Sequence, residues 1–136
     1  MDELLLLTEI HVEAEFNVNT YDIDVAGHVN NQVYIRWLED MRNQLFSQLC
    51  PLCNLLLMDY YPVVVSGEMK YKRQIKLFDK PFGKMEISSY MHGIFILKAE
   101  IIVSKVTAFT ALQKCVILNL KKNVIFKGDP LLLKNI

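Results

Sequence analysis

The chain has 136 residues, no net charge at neutral pH, and 52% hydrophobic residues with a mean hydropathy of +0.21. One domain, 1–136, is expected, long enough to bury about two-thirds of its unfolded surface. The charge balance argues against a basic nucleic-acid binder, and no apolar run approaches the ~20 residues of a membrane span.

Charge is uneven along the chain: residues 1–40 hold nine acidic side chains and one basic one, Arg36, and the remainder holds fourteen basic and six acidic. The opening MDELLLLTEI carries Asp2 and Glu3 where a signal peptide needs positive charge, so a cytoplasmic protein is expected. Excess apolar surface in so small a chain points to a subunit interface or a greasy ligand pocket.

In chain order, an opening strand is predicted near Ile10–Val18. A polar loop follows, with Asp22, Asp24, Gly27, His28, Asn30 and Asn31. From Val33 onward apolar residues fall at 34, 37, 38, 41, 45 and 49, the spacing of one helical face. Asparagine just before such a run is a helix-start signal, because its side-chain oxygen can accept an orphan backbone N–H. Asp24 therefore precedes a helix N-terminus, where unpaired N–H groups could stabilise an oxyanion. Cys50 and Cys53 of the CPLC segment fall where this helix should end, with Pro51 helping to end it. With Cys115 they read as reduced thiols, since reactive pairs favour helix N-termini and no zinc ligand set accompanies them.

After Pro62 the period becomes two. Val63, Val65, Gly67, Met69, Tyr71, Arg73, Ile75 and Leu77 form one face, expected to be mostly buried. Lys70, Lys72 and Lys76 lie on the wet, basic face. FDKPFG at 78–83 is a turn-rich break. Strands are then predicted at Lys84–His92, Ile94–Ser104, Val106–Leu120 and Val124–Phe126, with an irregular tail after Gly128. Strand, long helix, then consecutive antiparallel strands implies an α+β fold, a sheet wrapping one largely buried helix.

One segment carries a family resemblance. D-x-x-G-H-V-N-N-x-x-Y-x-R-W-L-E-x-x-R, from Asp24 to Arg42, resembles the hotdog-fold acyl thioesterases of the 4-hydroxybenzoyl-CoA thioesterase type. The resemblance implies an antiparallel sheet of five to six strands around one helix. It also implies a homodimer or homotetramer, with sheets joined edge to edge and active sites at the subunit interface. The implied activity is hydrolysis of an acyl-CoA or acyl-carrier-protein thioester. No cofactor or metal is implied, coenzyme A or the carrier protein entering as part of the substrate. Asp24 matches the family's catalytic carboxylate, as nucleophile or as general base toward water. The backbone N–H of Asn31 matches the oxyanion donor.

Each of these residues also has a plain structural reading. Asp24 could be a turn-forming aspartate, Asn30 a helix cap, and His28 either part of the catalytic network or a turn-holding loop residue. Asp22 reads as shaping the loop. Tyr34 and Trp37 belong to the helix-to-sheet core, part of that face lining an acyl pocket. Lys72 and Arg73 read as a solvated strand face or as contacts for a phosphate-bearing substrate. Glu39, the rival carboxylate, could pair with Arg42 on one helix face.

Two departures from the family pattern stand out. Gln74 and Phe78 occupy positions where proline and glycine are usual, and Ile94 and Phe95 follow Gly93 where a small polar residue is common. The second favours an apolar acyl group. A thioester-binding protein that does not hydrolyse, or a dimeric scaffold without ligand, are the alternatives.

Overall fold

The computed structural model describes residues 7–135; the Met1–Leu6 stretch read above lies outside them. Six strands form one antiparallel sheet: β1 (His11–Glu15), β2 (Tyr60–Tyr71), β3 (Phe82–Met91), β4 (Ile94–Val103), β5 (Val106–Asn119) and β6 (Val124–Ile125). The order across the sheet is β1-β3-β4-β5-β2, with β6 pairing the end of β5. Helix α1 (Asn31–Ser47) lies on one face, and a short helix α2 (Leu52–Leu57) follows it. This is the hotdog arrangement expected from the sequence. No helix among the described residues is long and apolar enough to cross a membrane.

Helix α1 begins where Asn30, in extended conformation, turns its side chain to accept from the Gln32 N–H. Val33, Tyr34, Trp37, Leu38, Met41, Leu45 and Phe46 are its buried face: the predicted stripe with Val33 and Phe46 added, while Leu49, also buried, lies past the helix end. They pack on the inward side chains of the hairpin strands, among them Met85, Ile87, Leu97, Ile101 and Phe109. Where α1 crosses β3 the chain needs Gly83. A Cβ there would sit 2.6 Å from Cε2 of Phe16 and 2.7 Å from Sδ of Met41.

Three expectations are corrected. Pro51 does not simply end the long helix, which stops at Ser47; it is the N-cap of α2, so Cys50 and Cys53 straddle the junction of two helices. Proline's fixed φ suits the start of a helix as well as its end. The tail after Gly128 is not irregular: Pro130–Asn135 forms a 3-10 turn that buries Leu133 in the core.

The third correction concerns β2. Its period-two pattern slips at a bulge between Val64 and Ser66, which transfers Val64 to the inward side and Val65 off it. The strand ends at Tyr71, where the N–H groups of Lys72 and Arg73 both donate to the Ala108 carbonyl. Nor is its apolar face mostly buried: Val64, Val65, Met69 and Tyr71 are all exposed. The reason is topological. β2 is the outermost strand beyond β5, and α1 packs chiefly over β1 and β3 while the short α2 contacts β2, so the long helix does not cover the β2 end of the inner face.

Candidate active site

Residues 22–30 form a small closed loop. Its base is tied by the Asn30 N–H donating to the Asp22 carbonyl at 2.8 Å and by an isolated antiparallel bridge between Ile23 and Val29. Inside it, the Asp24 N–H donates to the His28 carbonyl at 2.9 Å. Gly27 takes a φ of +86°, the left-handed conformation that a tight return requires. The Val29 N–H reaches the carbonyl of Ile75 at 2.8 Å. Ile75, fully buried, anchors the 72–81 connection against the loop.

Asp24 is exposed. Its Oδ1 accepts from the N–H of Ala26 at 2.9 Å and of His28 at 3.3 Å. The other carboxylate oxygen has no protein partner among the described residues. Asp24 is thus a turn-forming aspartate with one oxygen left over. His28 holds the same turn through its backbone, not its ring. Asn30 is the cap, and the N–H of Asn31 opens α1 with no protein acceptor among the described residues.

These groups face one cavity of about 850 Å³. Asp24, His28 and Asn31 line one side, Tyr34 and Tyr71 another, and Lys72, Arg73 and Lys76 contribute the basic side, with Ser104 and Ala108 from the β4–β5 turn and strand. Tyr34, Tyr71 and Phe109 form an aromatic cluster with ring centroids 4.7–5.1 Å apart. Burial of Tyr34, and the partial desolvation of the more exposed Tyr71, push both hydroxyls above their ordinary pKa; for Tyr34 the backbone at Ile75 opposes the shift and Tyr71 adds to it. The aromatic cluster therefore stays neutral at physiological pH.

Of the residues singled out in the sequence, Asp24, His28, Asn31, Tyr34, Lys72 and Arg73 share this cavity. Trp37 does not line it: stacked on Phe16 at 5.0 Å and buried, it is a core residue. Glu39 is exposed on α1 and away from the lining. Arg42 does not pair with it but donates to Oε1 of Gln113 across the core at 3.1 Å. Asp22 is 3% exposed, and its carboxylate accepts from Asn19 and Arg36.

In the sequence Tyr71 falls on the strand face expected to be buried, and Ser104 and Ala108 carry no functional signal. Only the β5 register, which sets Tyr71 opposite Phe109 and Val103 opposite Val106, brings them to the cavity. Ile94 and Phe95 are instead at the opposite end of β4, about 30 Å from Val103 at strand rise. Phe95 is buried against Phe46 and Tyr90, and neither residue lines this cavity. Another concavity, about 520 Å³, lies on the outer sheet face. Its charges alternate across the strands, Lys84 opposite Glu100 and Glu86 opposite Lys98, the cross-strand pairing of a solvated sheet.

Comparison with known proteins points the same way. No curated protein matches the sequence. Among solved structures, the DHNA-CoA thioesterase of Staphylococcus aureus superposes with a TM-score of 0.78 at 18% identity, over 86% of this chain and 80% of that one. A gentisyl-coenzyme A thioesterase gives 0.78 at 21%, over 86% and 95%. A hypothetical Staphylococcus aureus protein in complex with CoA gives 0.81 at 16%, over 88% and 77%. At these identities the likeness is one of fold. The model of the thioesterase-like superfamily, however, matches residues 18–135, from before the Asp24 loop almost to the end of the chain. The chain therefore belongs to the thioesterase-like superfamily.

Proposed function

We propose that this protein hydrolyses an acyl thioester of coenzyme A or of an acyl carrier protein, with Asp24 as the acting carboxylate. The observation that carries the reading is the meeting, on one cavity, of an exposed carboxylate, the Asn31 N–H left without a protein acceptor among the described residues at the capped start of α1, and a basic rim. The thioester carbonyl sits between the free Asp24 oxygen and the Asn31 N–H. Asp24 either attacks the carbonyl carbon, expelling thiolate and leaving a mixed anhydride for water to open, or takes a proton from a water that attacks. In both routes the carbonyl oxygen gains negative charge, and the Asn31 N–H together with the positive end of α1 stabilises it. The products are the free acid and the thiol.

His28 borders the cavity with its ring uncommitted to protein partners among the described residues, and fits a proton carrier between water and the departing thiolate. Lys72, Arg73 and Lys76 suit the phosphates of a coenzyme A or phosphopantetheine arm, and the CoA-bound neighbour supports that partner. Tyr34 and Tyr71 give the acyl group an apolar wall. We further propose a homodimer formed along β2, whose outer edge lacks a strand partner among the described residues and whose apolar side chains are exposed.

One observation favours the alternative of a thioester-binding protein that does not hydrolyse: Asp24 already serves the turn through Oδ1. Turnover separates the two. Acyl-CoAs and acyl carrier proteins of varied acyl group are incubated with the protein and thiol release is followed. Release from at least one is expected; tight binding without release would establish the alternative.

A further inference from the structure

We infer that Asp22 and Arg36 act as a positioning clamp that sets the Asp24 carboxylate at its working distance from the first N–H of α1. The kinetic consequence rests on the reading of Asp24 given above; the structural one does not.

Asp22 is a carboxylate only 3% exposed. All of its bonds are directed at fixing the loop. Oδ2 accepts from the backbone N–H of Asn19 at 2.9 Å and from its side-chain amide at 3.3 Å. Oδ1 accepts from Nη2 of Arg36 at 2.9 Å. Its backbone carbonyl takes the N–H of Asn30, the residue that caps α1. The loop base is therefore fastened to α1 at two separate points. One is the cap; the other is Arg36, five residues beyond Asn31 and so about 7.5 Å further along the axis.

The second fastening matters because the other bonds close the loop on itself or tie it to Ile75: the Ile23–Val29 bridge, the Asp24 N–H to the His28 carbonyl, and the Val29 N–H to the Ile75 carbonyl. With Asn30 as the one junction to α1, the closed loop could tilt as a unit and carry Asp24 toward or away from Asn31. The Arg36 bond removes that freedom. It does so without occupying the cavity, since neither Asp22 nor Arg36 is among its lining residues. A charge-assisted bond suits the task, being shorter and stronger than a neutral one. Its carboxylate end is withdrawn from water while Arg36 remains 58% exposed.

Asp22→Asn tests this at the buried end. An amide offers one acceptor oxygen to the three donors of Asn19 and Arg36, so that variant could lose the fold. Arg36→Gln and Arg36→Lys test it at the exposed end; because Arg36→Gln leaves the buried Asp22 carboxylate without its counter-charge, kcat is read only on preparations whose urea unfolding shows the folded protein. Arg36→Gln is expected to lower kcat about 10- to 100-fold, the cost of a misplaced reacting group, with KM changed less than about threefold because no substrate contact is lost. Arg36→Lys, keeping the charge, should recover most of the difference. Amide hydrogen exchange should quicken in Arg36→Gln at Asn30 and Val29 while the α1 amides beyond Met41 stay protected. A rise in KM with kcat unchanged would overturn the clamp and make Arg36 a substrate contact; so would equal kcat in wild type and Arg36→Gln. Should wild type release no thiol from any substrate while retaining its fold, the thioesterase reading fails. The exchange measurement then decides the clamp alone, unchanged protection at Asn30 and Val29 refuting it.

Discussion

Asp24→Asn separates chemistry from architecture at this site. The amide keeps an oxygen where Oδ1 accepts from Ala26 and His28, so the turn survives. Because Asp24 is exposed, no buried donor is stranded. Stability should therefore stay within about 0.5 kcal/mol of wild type, the range of a surface substitution. Activity should not. Removing a positioned acid–base group costs at least about 100-fold in kcat, and a nucleophile more. At 1.4 kcal/mol per tenfold, that is at least about 3 kcal/mol of transition-state stabilisation against almost none of folding. The variant should still bind uncleaved thioester, because the aromatic wall and the basic rim are untouched. Initial rates of thiol release and binding of a slowly cleaved acyl-CoA, measured side by side with urea unfolding, make the comparison. Glu39→Gln is the control, its side chain lying outside the cavity, and should keep full activity. Activity surviving in Asp24→Asn but vanishing in Glu39→Gln, with both folded, would refute the assignment.

Three further outcomes are expected. Gly83→Ala should cost about 1–3 kcal/mol of stability, the range of overpacking, because the new methyl meets Phe16 and Met41 below 3 Å; a urea midpoint equal to wild type would show that α1 can shift at no cost. In the native protein a thiol reagent should find Cys53 first, since Cys50 and Cys115 are buried and burial pushes the Cys115 thiol up to about 11. Substituting Cys53 by Ser should leave turnover within a few-fold, both cysteines of the CPLC segment lying beyond the far end of α1, about 24 Å from Asn31 by helix rise; a large loss with the fold intact would give that segment a role in the site. Mass measurement in solution at micromolar concentration should show a dimer or a dimer of dimers, and an active preparation containing only the 15.8 kDa species would exclude the β2-edge assembly.

The fold was legible where one signal governs one element. The apolar stripe from Tyr34 to Leu45 and the asparagine before it define α1 without help from the rest of the chain, since cap and amphipathic face are local properties. The hairpins were legible too, because Gly93 and the Ser104–Lys105 break interrupt otherwise continuous strands. The pattern of β2 misleads for a reason of the opposite kind. A bulge at Val65 inverts side-chain parity from that point, and nothing in Val63-Val64-Val65 reveals which valine is doubled. Burial of that strand depended on where α1 crosses the sheet, a tertiary fact. The residues from Tyr71 to Leu77 keep the period of a strand, yet leave the sheet at the Ala108 carbonyl to bury Ile75 against the loop.

The site was legible to a different depth. Asp24, His28 and Asn31 lie within one short segment, so their proximity needs no long-range information. Lys72 and Arg73 stood out as charges, but their approach to Asp24 needs β2 to run its whole length beside β5 and then turn toward the loop. Tyr71, Ser104 and Ala108 carry no chemical signal of their own and enter only through strand register. The two aspartates show why residue type alone could not divide the labour. Both accept from backbone N–H groups of their own loop, and only burial tells them apart: Asp22 spends both oxygens on structure, whereas Asp24 spends one and keeps the other for the cavity. A carboxylate held by its turn through one oxygen has little freedom to reorient, so the entropy of aiming the other has been met during folding. On the proposed reading the turn-forming and the chemical roles of Asp24 are one arrangement, and a change that loosens the turn should lower kcat as surely as one that removes the charge.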